Sequence, residues 1–82
     1  MDREDRQRLI ERMGEAVHQT RVAYQRAKED FHRIPESDLQ GPDGKFTFDQ
    51  ALVRERQAFA AAKRALFDYN RFVIDGKIPG RD

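Results

Sequence analysis

Leu52, Phe59, Leu66 and Val73 stand seven residues apart, and one residue later Val53, Ala60, Phe67 and Ile74 repeat the same spacing. A seven-residue apolar period marks a helix that packs along its length against another helix. Two such rows, about 100° apart around one axis, demand two kinds of neighbour. This doubled demand narrows the folds open to the chain more than any other feature of it.

The first row belongs to a seam within the chain. Phe48, Ala62 and Tyr69 fill most of the row beside it, and Ala51, Ala58, Ala65 and Phe72 flank it. Upstream, Ile10, Val17, Tyr24 and Phe31 are seven apart, with Met13, Thr20, Ala27 and Ile34 three residues further on. Leu9, Ala16 and Ala23 flank this upstream stripe, which is single. The patterns predict a hairpin core of Ile10, Met13, Val17, Tyr24 and Phe31 against Leu52, Phe59, Leu66, Tyr69 and Val73. Glu55 interrupts the seam. A buried carboxylate is costly unless paired, so its expected place is near the helix end, reaching solvent or an arginine.

The helix limits follow from local signals. Asp2 is a candidate N-cap, Glu4 and Asp5 suit a helix start, and Pro35 disfavours helical geometry at Ile34. The first helix is therefore expected over about 3–34, with Gly14 as a tolerated surface glycine. The stretch 35–46 is expected to be loop, with Gly41-Pro42-Asp43-Gly44 as a type I turn. Thr47 and Gln50 form a capping-box pattern, with Phe46 positioned to staple onto Ala51. The second helix is then expected over 47–75, stopped by Gly76 with Pro79 beyond and a short tail over 76–82. The expected fold is all-α: one domain over 1–82, an antiparallel two-helix hairpin.

The second row, Val53, Ala60, Phe67 and Ile74, needs a neighbour that a two-helix chain does not contain. Arg56, Lys63 and Asn70 lie between the two rows, and long basic side chains can rest their stems on apolar surface. Burying a large apolar side chain contributes roughly 1.5–3 kcal/mol. Leaving Val53, Phe67 and Ile74 bare forfeits an amount comparable with the net stability of a small domain. With 82 residues and no cysteine, no disulfide is available to compensate. The row is therefore the expected dimer or partner interface, and the expected assembly is a homodimeric four-helix bundle.

Chemistry is thinly represented. Glu15-Ala-Val-His18 and Glu29-Asp-Phe-His32 repeat the Glu-x-x-His spacing of carboxylate metal bundles, but both lie off the apolar stripe and their histidines are about 21 Å apart along a helix. The glycines of the loop lack the Gly-Lys-Ser/Thr ending of a phosphate-binding loop. Ser37 is the only serine. No catalytic residue, cofactor or metal is expected, and the chain reads as a non-enzyme.

Net charge is +1, from sixteen basic and fifteen acidic residues, which favours no partner by itself. Arg12 and Arg26 on the first helix and Arg56, Lys63, Arg64 and Arg71 on the second make a possible polyanion contact. Against it, Glu4–Arg8 and Glu29–Arg33 have the spacing of neutralising pairs, and the aromatics sit in the seams. Mean hydropathy is −0.95, and no apolar run approaches the roughly 20 residues that span a bilayer. The start, MDREDRQR, lacks the apolar stretch of a secretory signal, so none is expected there. A membrane role is not expected, and a cytoplasmic setting is. Twelve arginines against four lysines suggest a GC-rich, bacterial genome. The functional expectation is a small bacterial adaptor or accessory protein that acts through protein–protein contacts as a homo-oligomer. The alternatives are a nucleic-acid-binding bundle and, further off, a carboxylate metal protein. Heptads, a capping box and a glycine stop are generic and point to no one family.

Overall fold

The computed structural model describes residues 2–79. Two long helices, α1 over Arg3–His32 and α2 over Gly44–Asp75, are joined by a short 3-10 turn over Glu36–Leu39. The tail expected over 76–82 is described as far as Pro79, and 80–82 lie outside the described residues. The helices are about 45 and 48 Å long, and the molecule measures 59 × 21 × 15 Å. The antiparallel sense shows in the ring contacts. Tyr24 meets Phe59 with centroids 5.3 Å apart, and Phe31 meets Phe48 at 5.2 Å. The all-α hairpin read from the heptads is the fold.

Helix α1 begins as its sequence predicts. Asp2 is the N-cap, and its Oδ1 accepts a 2.8 Å hydrogen bond from the Asp5 backbone N–H. The helix ends two residues earlier than expected. Arg33 is the C-cap, and its backbone N–H donates to Glu29 O and Asp30 O. Arg33, expected to pair with Glu29 through its side chain, thus meets it through the backbone. Ile34, held by Pro35, lies beyond the helix and is half-buried.

The start of α2 corrects the capping-box expectation. The helix opens at Gly44, three residues before Thr47, with Asp43 as an N-cap that makes no side-chain hydrogen bond. The cause is the turn. Gly44 N–H donates to Gly41 O at 3.2 Å, and Asp43 has φ −93° and ψ −3°, the geometry of the third residue of a type I turn. That turn already places backbone in the helical region, so the helix grows straight out of it. Thr47 N–H then donates to Asp43 O within the helix at 3.0 Å. Phe46, no longer a staple before the helix, is 64% exposed. Gly44 is buried, and a Cβ there would collide with the Leu39 carbonyl. The loop is also more regular than expected, since Glu36–Leu39 is a 3-10 turn in which Asp38 N–H donates to Pro35 O. At the far end Gly76 is left-handed, with φ 71°. Its N–H donates to Phe72 O, the 5→1 bond of an αL ending, and the Lys77 N–H donates to Arg71 O.

Candidate interaction surface

The α1 seam matches its pattern. Ile10, Met13, Val17, Thr20, Tyr24, Ala27 and Phe31 are all half-buried. Thr20 fits an apolar row because its hydroxyl donates back to Ala16 O at 2.7 Å and lies 3.1 Å from Val17 O. Gly14 is half-buried as well, not the surface glycine expected of it.

On α2 the seam is rotated from the expected phase. The seam itself runs through Ala51, Glu55, Ala58, Ala62, Ala65, Tyr69 and Phe72, all half-buried or buried, with alternating steps of four and three. The row predicted as the centre of the core lies at its edge: Phe59 is 49% exposed, Leu66 44% and Val73 41%, while Leu52 is half-buried. Phe72, expected on the flank, is the only buried apolar side chain among the described residues. The Arg6 guanidinium lies over its ring at 5.6 Å. The physical reason is the alanines. Small residues at 51, 58, 62 and 65 let α2 approach α1 with its backbone, and that turns the larger residues outward. Glu55 shares this seam, half-buried. No described side-chain nitrogen or oxygen is both buried and without a partner, so its carboxylate remains solvated.

The result is a lopsided surface. Among the described residues nine large apolar side chains are exposed, and all but Leu39 belong to α2. They form two strips. Phe48, Phe59, Leu66 and Val73 edge the seam on one side. Phe46, Val53, Phe67 and Ile74 lie on the back of α2. Val53, Phe67 and Ile74 each stand two residues, about 200° of helix, from their nearest seam neighbours and so are turned away from α1. The predicted interface residues Val53, Ala60, Phe67 and Ile74 are therefore brought together on one exposed face. The alanines signal close helix approach in the sequence, and it is their row, rather than the large apolar row beside it, that lies at the centre of the seam.

The basic residues divide. Arg56, Lys63 and Arg64 are exposed on the outer part of α2, and Arg71 is half-buried there. Arg12 and Arg26 are exposed on α1, off its seam. Arg64 Nε lies 3.3 Å from Asp68. Its guanidinium and that of Arg71 lie 5.9 and 5.5 Å from the centre of the Phe67 ring, and Lys63 Nζ lies 5.9 Å from that of Phe59. On α1, Arg8 pairs with Glu4 and Asp5. His18 and His32 are both exposed, and His32 meets Phe31 edge-on. Among the described residues no three histidine, aspartate or glutamate side chains are grouped to share a metal ion, and no helix is long and apolar enough to cross a membrane. No protein-family model, curated protein or solved structure matches the chain.

Proposed function

We propose that this chain is a non-enzymatic helical protein–protein interaction module of the bacterial cytoplasm, working as a homodimer in which two hairpins pack side by side as a four-helix bundle. The observation that carries the reading is unburied surface. The hairpin exposes 6730 Å², whereas a compact monomer of its 9.7 kDa mass exposes about 5,100 Å². The excess, about 1,600 Å², exceeds the roughly 800 Å² that each partner contributes to a stable interface. The strip Phe48, Phe59, Leu66 and Val73, rather than the row Val53, Ala60, Phe67 and Ile74 expected from the sequence, is the natural seat for the second copy, because it is continuous with the seam of the hairpin. Covering it extends one core across four helices.

The nucleic-acid reading has weaker support. Arg64 is engaged by Asp68, and Arg12 and Arg26 stand on the other helix, so the six cations do not form one track. The deciding experiment is absolute molar mass by light scattering over a dilution series, at low and high salt. A salt-insensitive mass near twice 9.7 kDa is expected. A monomer at every concentration sinks the dimer, and retention on a polyanion that weakens steeply with salt favours nucleic acid.

A further inference from the structure

We infer that the back of α2 is a docking site for an acidic amphipathic helix of another protein. Phe46, Val53, Ala60, Phe67 and Ile74 repeat every seven residues along this face. The four larger ones are 64%, 49%, 50% and 78% exposed. An unbroken seven-residue repeat is the register of a helix lying alongside. The hairpin does not use it, because α1 occupies the opposite side of α2.

Charge selects the occupant. Arg56 and Lys63, both exposed, follow the apolar row by three positions. Arg64, held by Asp68, and half-buried Arg71 follow it by four, so basic residues border it on both sides. Arg56 and Lys63 are the cations it offers a partner. Arg64 and Arg71 already lie over the Phe67 ring. Along the row, from Phe46 to Ile74, the carboxylates of α2 are Asp49, Glu55 and Asp68, and Asp49 borders it only at the Phe46 end, ahead of the four cations. Glu55 belongs to the seam, and Asp68 is paired with Arg64. Self-pairing through this face would set cations against cations, which discriminates against a second copy. A helix with its own apolar row between aspartates or glutamates satisfies both features of the face. A membrane surface calls for a broad apolar face, and this one is a single row with alanine at its centre. A phosphate backbone uses the cations and leaves the apolar row idle.

The inference rests on the reading of the chain as an interaction module but not on its dimerisation, and the test keeps the two apart. Two labelled synthetic helical peptides carry leucine at every seventh position. One has glutamate at the flanking positions, and the other has lysine. Fluorescence anisotropy with the full chain is expected to show the glutamate peptide binding at least about tenfold more tightly than the lysine peptide. Phe67→Glu is expected to weaken that binding by a similar factor while leaving the molar mass and helicity of the free protein unchanged. Leu66→Glu, on the other strip, is expected to retain it. The inference is overturned if neither peptide binds, if both bind equally, or if Phe67→Glu lowers the molar mass of the protein. It is also overturned if phosphatidylserine vesicles or a single-stranded oligonucleotide bind where the glutamate peptide does not. If instead the parent protein is monomeric yet binds the glutamate peptide selectively, the dimer fails and the docking site stands.

Discussion

Gly14 of α1 lies against the ring of Tyr69 of α2: a Cβ placed on Gly14 comes 3.6 Å from Tyr69 Cε2. That is ordinary van der Waals contact, with space for a methyl group and little beyond it. A helix-interior glycine costs about 1 kcal/mol relative to alanine. Gly14→Ala is therefore expected to stabilise the protein by about 0.5–1 kcal/mol, and Gly14→Leu to destabilise it by displacing the tyrosine. Urea unfolding followed by circular dichroism reads both, and a lower midpoint for the alanine variant contradicts the contact.

The two helix starts are expected to respond differently. Asp2→Ala removes a side-chain cap and should cost about 1 kcal/mol. Thr47→Ala removes nothing from a helix that begins at Gly44, and should change stability by less than about 0.5 kcal/mol. A cost for Thr47→Ala equal to that of a lost cap would place the start of α2 at Thr47 after all.

Gly44 is the tightest point of the connection. Gly44→Ala forces its new methyl into the Leu39 carbonyl, and an expected loss of about 1–3 kcal/mol follows from the backbone shift it imposes. Gly41 has φ 92° but nothing near its Cβ position, so Gly41→Ala tests backbone conformation alone. Thermal melts of the pair separate steric from conformational cost. Equal melting at wild-type temperature would contradict both.

Phe72, 2% exposed, and Ile74, 78% exposed, sit two residues apart on opposite sides of α2. Phe72→Ala is expected to cost about 3–5 kcal/mol, which a hairpin this small barely survives. Ile74→Ala should stay within about 0.5 kcal/mol. Proteolytic susceptibility and urea midpoints measure the contrast, and similar costs at the two positions would show that α2 is rotated differently against α1.

Leu66→Glu places a charge on the strip proposed to meet a second copy. The expected outcome is a fall in molar mass to that of one chain. The stability of the parent protein should also rise with concentration, as folding linked to association requires. A Leu66→Glu protein with the parent's mass moves the self-interface away from this strip.

Much of this molecule was legible in its heptads. The helices, their antiparallel pairing, the seam of α1, the Asp2 cap and the Gly76 stop all depend on local spacing and on residues with one conformational role. Such features are read within a turn or two of chain. The face formed by Val53, Ala60, Phe67 and Ile74 was legible for the same reason. What only the tertiary structure decided was the rotation of α2. Apolar periodicity on this helix is satisfied at several phases, and hydrophobicity favours the large row Leu52, Phe59, Leu66 and Val73 at the centre. Close approach across Ala51, Ala58, Ala62 and Ala65 chose another phase, seated Phe72 and Gly14 in the seam, and left the large row at its edge. The start of α2 was decided in the same way, by a turn whose geometry flowed into the helix ahead of the capping signal. Sequence spacing states which residues share a face, but the distance between two backbones determines which face is buried.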